Sequence, residues 1–258
     1  MLNLSEKIAI VTGGGSGIGQ AISQKLAEHG AKVHIFERDK VGAAATVQAI
    51  RNAGATAECH DVDVANQSQV LAAVDAVFEQ HNRLDILVNN AGIAFVGSLE
   101  QTAEADLDRL YAVNIKGVYN CALAAVRKMK SQKNGVIINM ASIAAPIGLP
   151  DRFAYSMTKG AVVSMTYSIA RDYLDDNIRC NCISPARVHT PFVDGFIAKN
   201  YPGKEQEMFE KLSKTQPIGR MAKPEEIANL CLFLCSDEAG FITGTDYPID
   251  GGFLRLNT

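Results

Sequence analysis

The sequence predicts an α/β fold in which helices cover both faces of a doubly wound parallel sheet. Short, continuous apolar runs alternate along the chain with longer amphipathic runs, which is the pattern of buried parallel strands separated by helices. A glycine-rich turn at residues 12–19 lies between the first apolar run and the first amphipathic run. Right-handed crossovers then give the doubly wound order. No linker, repeat or low-complexity tract interrupts the alternation, so residues 1–258 are predicted to form a single domain.

The predicted elements follow this alternation in order. Apolar runs are predicted to form strands at residues 8–11, 32–36, 57–60, 84–89, 136–140 and 178–183. Amphipathic runs between them are predicted to form helices, the clearest of which cover residues 18–29, 67–81, 106–130 and 154–174. Gly30 is the stop signal of the first helix, because glycine commonly follows the last helical residue.

Residues 189–217 are the least regular part of the chain and are predicted to form a substrate lid. They carry several prolines and glycines around one short amphipathic helix at 205–212. The segment follows the C-terminal end of a predicted strand, where doubly wound sheets bind ligands. Its apolar side chains need a surface on which to bury, which favours a lid over a disordered surface loop. They are Phe192, Phe196, Met208 and Phe209.

Composition and charge exclude several classes of protein. The net charge of −3 argues against a nucleic-acid or anionic-membrane footprint, and no window approaches the apolar length of a membrane span. The first seven residues lack the apolar stretch of a signal peptide. A chain of 258 residues with 47% apolar content needs no disulfides, so its six cysteines are expected to be reduced thiols in a cytoplasmic protein.

No metal site is predicted. Cys231 and Cys235 share a helix face, but no histidine lies at ligand spacing around them. Four of the five histidines lie on elements away from the predicted active site and are expected to have structural roles. They are His29, His34, His60 and His81.

The glycine turn predicts a dinucleotide site. Gly13, Gly17 and Gly19 follow a strand and open a helix, where the backbone can approach a pyrophosphate and the helix N-terminus favours its charge. The alternative is an ordinary strand-to-helix turn. Glu37 ends the second predicted strand, close to the expected distance for an acid that binds the adenosine ribose. Its carboxylate would repel a 2′-phosphate, so NAD is favoured over NADP, unless the adjacent Arg38 binds that phosphate. A solvated strand end is the alternative for Glu37.

Tyr155 and Lys159 indicate the chemistry. They are four residues apart, which on a helix puts both side chains on one face. A nearby ammonium favours the phenolate and so is expected to lower the pKa of the tyrosine. A phenol of this kind can exchange a proton with an alcohol oxygen near neutral pH. With the glycine turn, the pair predicts interconversion of an alcohol and a carbonyl on a nicotinamide.

Further motifs carry a family resemblance. They are residues 12–19, the run 89–92 (Asn-Asn-Ala-Gly), Asn114, Ser142, the Tyr155/Lys159 pair and the run 185–191. In this order they resemble the short-chain dehydrogenase/reductase family over essentially the whole chain. The resemblance implies a Rossmann-like fold and a nicotinamide cofactor. One departure is Ala186, where the family usually has glycine, and it is expected to tighten the backbone there.

The resemblance also implies roles for individual residues. Tyr155 is the general acid/base, Lys159 lowers its pKa and binds the nicotinamide ribose, and Ser142 steadies the substrate oxygen. Asn114 holds a water that continues the proton relay from Lys159. Taken singly, Ser142 could be a loop serine and Asn114 a helix-bending polar residue. The other implied cofactor contacts are Gly13, Ser16, Gly17, Ile18, Gly19, Glu37, Asp63, Val64, Asn90, Ala91, Gly92, Val188 and Thr190.

Arg152 is the most useful indication of the substrate. It lies three residues before Tyr155, near the predicted pocket mouth, and an arginine can bind a carboxylate bidentately. Residues 152–155 and 179–182 resemble a branch of the family that acts on hydroxy acids and deoxy sugar acids. A surface arginine is the alternative.

Arg187 and His189 are two further candidates for substrate contact. In the hydroxy-acid branch, a second arginine in the lid helps the counterpart of Arg152 to bind the carboxylate, and its position corresponds to a point near Phe196 of this chain. Only one of the two arginines is therefore matched here, unless Arg187 replaces the second. Arg187 could instead pair with a lid carboxylate. His189 lies beside Val188 and could face the substrate or solvent.

These features predict an NAD-dependent oxidoreductase that interconverts a secondary alcohol and a ketone. The expected substrate is small and polar: a sugar, a sugar acid or a hydroxy acid. A reductase of 3-oxoacyl thioesters is the alternative enzyme, and a non-catalytic nicotinamide-sensing protein is the alternative from another class. The resemblance further implies a homotetramer or homodimer paired through the long helices at 106–130 and 154–174.

Overall fold

The computed structural model of the chain describes residues 2–256, and in that range seven parallel strands form one sheet. Their order in the sheet is β3-β2-β1-β4-β5-β6-β7. The strands are β1 (Ile8–Thr12), β2 (Lys32–Glu37), β3 (Ala57–Asp61), β4 (Ile86–Asn89), β5 (Gly135–Met140), β6 (Ile178–Pro185) and β7 (Asp246–Ile249). The chain reverses its direction across the sheet between β1 and β4, which creates the crevice of a doubly wound fold. The predicted fold class is confirmed.

Helices cover both faces of the sheet. They are α1 (Gly17–Glu28), α2 (Lys40–Asn52), α3 (Gln67–His81), α4 (Glu104–Leu110), α5 (Gly117–Gln132), α6 (Phe153–Asp172), α7 (Pro191–Asn200), α8 (Glu205–Ser213) and α9 (Pro224–Cys235). Alternate residues of β1 face two separate cores, as the strand period of two requires. Ala9 and Val11 pack with buried residues of α1, α2 and α9, whereas Ile8 and Ile10 pack with α3 and α5. Among residues 2–256, no helix is long and apolar enough to cross a membrane.

The single helix predicted at 106–130 is wrong in one respect. A π-helical segment, Tyr111–Lys116, separates α4 from α5 and carries Asn114. A π turn adds a residue to each turn and re-aims the side chains within it, so hydrophobic periodicity alone does not reveal it. Such bulges occur frequently at functional sites.

The predicted lid contains two helices rather than one. Besides α8, the segment after β6 forms α7, whose first residue is Pro191 and whose N-cap is the extended Thr190. Proline fits the first helical position because the N–H it lacks would have no partner there. The prolines and glycines of this segment are typical of a loop, and for that reason α7 was not predicted.

Candidate active site

The carboxyl ends of the central strands surround a cavity of about 620 Å³. All of the predicted cofactor residues line it, from the glycine turn after β1 to Thr190 at the start of α7. Ser142, Arg152 and Arg187 line it as well. Lid residues Phe192 and Phe196 form part of its wall. The topology therefore collects residues that are more than 170 positions apart into one pocket.

The glycine turn requires glycine at residues 13, 17 and 19, for lack of space or because of the backbone conformation. A Cβ at Gly19 would lie 2.0 Å from the carbonyl oxygen of Gly13, and Gly13 and Gly17 have positive φ angles of 67° and 52°. The Ser16 side chain makes no capping hydrogen bond to α1. The backbone amides at the start of α1 therefore remain available to an anion, and the turn fits the pyrophosphate of a dinucleotide.

Asn90 holds this turn in place from the neighbouring strand. Its Nδ2 donates to the carbonyl oxygens of Thr12 and Gly13, each at 3.0 Å. The Thr12 hydroxyl in turn accepts from the backbone amides of Asn90 and Ala91, each at 3.0 Å. The run 89–92 thus fixes the glycine turn as well as lining the cavity.

Acidic groups surround the end of the cavity that lies beyond β2. The Glu37 carboxylate accepts hydrogen bonds from the backbone amides of Gly15 at 3.2 Å, Arg38 at 2.8 Å and Asp39 at 3.1 Å. The Arg38 guanidinium lies 3.5 Å from the Asp63 carboxylate. Glu37 is therefore fixed at the cavity wall, while Arg38 is paired with a second carboxylate.

Tyr155, Ser142 and Lys159 meet at the other end of the cavity. The Lys159 Nζ lies 5.8 Å from the centre of the Tyr155 ring and donates to the carbonyl oxygen of Met140 at 2.7 Å. A side-chain hydrogen bond joins Ser142 to Tyr155. A phenol, a hydroxyl and an ammonium group therefore border the same space.

The predicted lowering of the Tyr155 pKa is not what this arrangement produces. Burial of the hydroxyl raises its pKa, and the hydrogen bond with Ser142 and the charge of Arg152 oppose that rise only in part. Burial also lowers the pKa of Lys159 to about 8. The spacing of four residues predicted the shared helix face correctly, but desolvation is the largest influence on the pKa of Tyr155, and it acts in the opposite direction to the one expected from a nearby ammonium.

Asn114 lies behind the cavity wall rather than on its surface. Its Oδ1 accepts from the backbone amide of Ile93 at 2.9 Å, and its Nδ2 donates to the Ile93 carbonyl at 2.9 Å and to the Thr158 hydroxyl at 3.1 Å. A Cβ at Gly92 would lie 3.4 Å from Asn114 Oδ1 and 3.6 Å from Lys159 Nζ. Asn114 thus joins the loop after β4 to α6 beside the Lys159 ammonium.

Arg152 and Arg187 bring positive charge to the cavity. Arg152 is the N-cap residue of α6, and its guanidinium donates to the Asp151 carbonyl at 3.0 Å. The Arg187 Nε donates to the Thr215 hydroxyl at 3.0 Å. Burial and then the charge of Arg152 lower the pKa of Arg187. Within residues 2–256 no carboxylate pairs with either guanidinium, so the alternative that Arg187 pairs with a lid carboxylate is wrong.

His189 requires a correction. From the sequence it could face either the substrate or solvent, and in the structure it is not among the residues that line the cavity. Its Nε2 lies 2.8 Å from an Asp194 carboxylate oxygen, and its ring meets the Phe209 ring edge-on at 4.9 Å between centres. His189 therefore links α7 to α8 within the lid.

Gln216 is a site residue that the sequence analysis missed. It lines the cavity, is 2% exposed, and its Oε1 has no hydrogen-bond partner among the described residues. Its Nε2 donates to the Thr215 hydroxyl at 2.7 Å, and that hydroxyl donates to the Leu212 carbonyl at 2.6 Å. The Thr215 oxygen must then accept from Gln216, which fixes the amide with its oxygen free. No sequence signal marks one glutamine in a lid.

Comparisons with known proteins agree with this geometry. A family model described as Enoyl-(Acyl carrier protein) reductase matches residues 13–254. An uncharacterized oxidoreductase of Thermotoga maritima is 41% identical over 253 residues, which cover 97% of this chain and 98% of that protein. The 3-oxoacyl-[acyl-carrier-protein] reductase FabG of the same organism is 34% identical over 253 residues, covering 98% and 100%.

A solved structure matches this chain in fold over nearly its whole length. L-sorbose reductase from Gluconobacter frateurii, complexed with NADPH and L-sorbose, matches with a TM-score of 0.94 and 31% identity over 99% of each chain. The likeness therefore extends over the sheet, the glycine turn and the lid together.

Proposed function

This chain belongs to the short-chain dehydrogenase/reductase family, and we propose that it uses NAD to interconvert a secondary alcohol and a ketone on a small hydroxylated acid. It is an oxidoreductase that acts on alcohol and ketone groups, and the predicted family is confirmed. A non-catalytic nicotinamide-sensing role is therefore set aside. The observation that carries the finer proposal is the pair of guanidinium groups, Arg152 and Arg187, in the cavity that Tyr155 lines.

The chain's own residues supply position and a proton. A bound nicotinamide accepts or donates the hydride. In oxidation, the Tyr155 oxygen takes the proton of the substrate hydroxyl, and in reduction it returns that proton to the carbonyl oxygen. Ser142, hydrogen-bonded to Tyr155, holds the substrate oxygen at the same point. Lys159 and Asn114 complete a polar path from Tyr155 towards the loop after β4.

Two arginines that have no acidic partner within residues 2–256 favour an anionic substrate. Arg152 and Arg187 are both half-buried, and taking part of a cation out of water costs free energy unless a counter-charge approaches it. A carboxylate can satisfy a guanidinium with two parallel hydrogen bonds. The lowered pKa of Arg187 reflects that unrelieved cost, since burial and Arg152 both act against its charge. A substrate carboxylate would remove the repulsion between the two arginines.

Gln216 favours a substrate that also carries hydroxyl groups. Its buried Oε1 needs a donor, and a buried acceptor that remains unpaired costs roughly 1–3 kcal/mol. A hydroxyl of a sugar acid or hydroxy acid can donate to it, whereas an acyl chain cannot. This supports a hydroxylated acid over a 3-oxoacyl thioester.

The acidic end of the cavity supports NAD. A 2′-phosphate would approach the Glu37 carboxylate, and Arg38 is already paired with Asp63. We expect NAD to be used with at least about tenfold greater kcat/KM than NADP, roughly 1.4 kcal/mol. Glu37→Ala should narrow this gap, as measured by initial rates with both cofactors.

The control for that experiment is Asp61→Asn. Asp61 pairs with Lys40 at 2.8 Å and does not line the cavity, so removing its charge should leave the cofactor preference unchanged. Equal kcat/KM for NAD and NADP in the unaltered enzyme would refute the assignment of Glu37.

The long helices support assembly into a homodimer or homotetramer. Large apolar side chains stand exposed on α5 and α6, among them Tyr119 at 49% and Tyr167 at 47%. Exposed apolar surface of this kind commonly marks an interface. Light scattering at micromolar concentration should therefore give the mass of two or four chains.

A matched pair of variants tests the surface itself. Tyr167→Asp should shift the mass towards a single chain, whereas Phe241→Asp, on an exposed turn outside these helices, should not. If light scattering gives the mass of a single chain for the unaltered protein, the proposal of a homodimer or homotetramer is wrong.

The free thiols of all six cysteines support a cytoplasmic location. Reducing compartments keep such thiols unpaired.

A panel of substrates separates this function from its alternative. The relative FabG is a 3-oxoacyl-[acyl-carrier-protein] reductase, and the sorbose reductase is complexed with a sugar and NADPH. We expect sugar acids and hydroxy acids to be oxidised with NAD at higher kcat/KM than neutral sugars are oxidised or 3-oxoacyl thioesters are reduced with NADH. A thioester as the best substrate would favour the alternative.

A further inference from the structure

Three of the five histidines converge near the edge of the sheet, outside the cavity that Tyr155 lines. The His34 Nδ1 lies 3.0 Å from the His60 Nε2, and the His34 Nε2 lies 2.9 Å from the His81 Nε2. Glu58 adds a carboxylate, and one ligand atom each from His34, Glu58 and His60 lie within 4.8 Å of one another. We propose that His34, His60 and Glu58 bind a divalent transition-metal ion such as Zn²⁺.

The register of the sheet builds this cluster. β2 and β3 pair in parallel with His34 beside Glu58 and Phe36 beside His60. Side chains two residues apart share a sheet face, so all of these side chains point to the face covered by α3. His81 is the last residue of α3. Two paired strands thus carry the three proposed ligands, and α3 places His81 beside them.

The distances suit a metal ion. Zn–N bonds of about 2.0–2.1 Å separate two ligand nitrogens by about 3.4 Å at a tetrahedral angle and about 2.9 Å at a right angle. The two nitrogens of His34 and His60 are 3.0 Å apart. Small rotations of the rings would therefore direct both lone pairs at one ion, with the Glu58 carboxylate as the third ligand.

Neighbouring side chains form hydrogen bonds to the proposed ligands, as is usual around a bound metal ion. If His34 Nδ1 binds the ion, its Nε2 carries the proton and donates to His81, which fixes the tautomer. The Gln80 Nε2 donates to the Glu58 carboxylate at 2.9 Å. His81 and Gln80 would therefore orient the ligands without touching the metal ion.

Burial and exposure also fit. His34 is 1% exposed, whereas Glu58 and His60 are half-buried on the edge strand, which leaves a solvent side through which an ion can enter. Burial lowers the pKa of His34 to about 4 and also lowers the pKa of His60 and of His81. The imidazoles are therefore neutral near pH 7, the form that binds metals.

These histidines were expected to have structural roles because the elements that carry them lie away from the predicted active site. A chain of neutral imidazoles joined by hydrogen bonds is the competing explanation of the same contacts. That explanation predicts no metal binding, so calorimetry separates the two.

The test is a titration of the full-length protein with ZnCl₂ in chelator-free buffer near neutral pH. We expect roughly one Zn²⁺ per chain and a rise in melting temperature that grows with Zn²⁺ concentration. His60→Gln and Glu58→Gln should each weaken binding at least about tenfold, and Glu58→Gln keeps the shape and the acceptor for Gln80 should the histidine variant fail to fold.

Two controls exclude other zinc ligands. Cys59→Ser removes an exposed thiol between Glu58 and His60, and His29→Gln removes a histidine outside the cluster. Both should retain the affinity of the unaltered chain. The proposal is overturned by a dissociation constant weaker than about 100 µM, by full affinity in both cluster variants, or by loss of affinity in either control.

Discussion

Replacing Tyr155 with phenylalanine should lower turnover at least about a hundredfold while NADH still binds. The substitution removes only the hydroxyl that exchanges the proton with substrate, and it leaves the ring beside Lys159 and the glycine turn unchanged. Steady-state kinetics give the loss of kcat, and NADH fluorescence measures the cofactor affinity. Ser142→Ala should also lose activity, because it removes the hydrogen bond to Tyr155.

The pH profile is the second readout of the same variant. Burial raises the pKa of Tyr155, so the phenolate that oxidation needs becomes more populated as pH rises. Oxidation by the unaltered enzyme should therefore accelerate from about pH 6 to about pH 9, and Tyr155→Phe should flatten this rise. Near-normal turnover in the variant would exclude Tyr155 as the acid/base.

Replacing Arg152 with glutamine should raise KM for an acid substrate tenfold or more. A charge-assisted hydrogen bond contributes on the order of 1.5–3 kcal/mol to binding when the substrate displaces water from the pocket. Arg152 lines the same pocket as Tyr155 and Arg187. A neutral sugar should lose little, because it makes no ion pair with the guanidinium. The measurement is KM and kcat for both substrates in both enzymes.

Arg171→Gln is the matched control for that loss of charge. Arg171 is an exposed arginine in the last turn of the same helix, α6, outside the cavity. The substitution Arg171→Gln should leave the KM for the acid substrate unchanged. If Arg152→Gln has no effect on an acid, Arg152 is structural and the enzyme acts on a neutral polyol or sugar.

Elements with strong local signals could be predicted from the sequence. The run 8–11 is continuously apolar and is soon followed by glycines that a tight turn needs, so β1 and the start of α1 were predicted within one or two residues. The resemblance similarly named cofactor residues that line the cavity, because its motifs keep their order along the chain, although Asn114 lies behind the cavity wall.

Features that depend on tertiary packing could not be predicted. Desolvation of Tyr155 and Lys159 depends on how the folded chain surrounds them. For Tyr155 it raises the pKa, whereas the sequence predicted a lowered pKa. The free acceptor of Gln216 follows from two hydrogen bonds around Thr215. The histidine cluster needs the register of β2 against β3, which sequence spacing does not contain.

The measurement that tests the central claim most directly compares an acid with its neutral counterpart. Initial rates of NADH formation are recorded with a sugar acid and with the polyol of equal carbon number, at the same pH and NAD concentration. The two arginines predict a kcat/KM at least about tenfold higher for the acid. Equal values, or a preference for the polyol, would contradict the proposal that this cavity recognises a carboxylate.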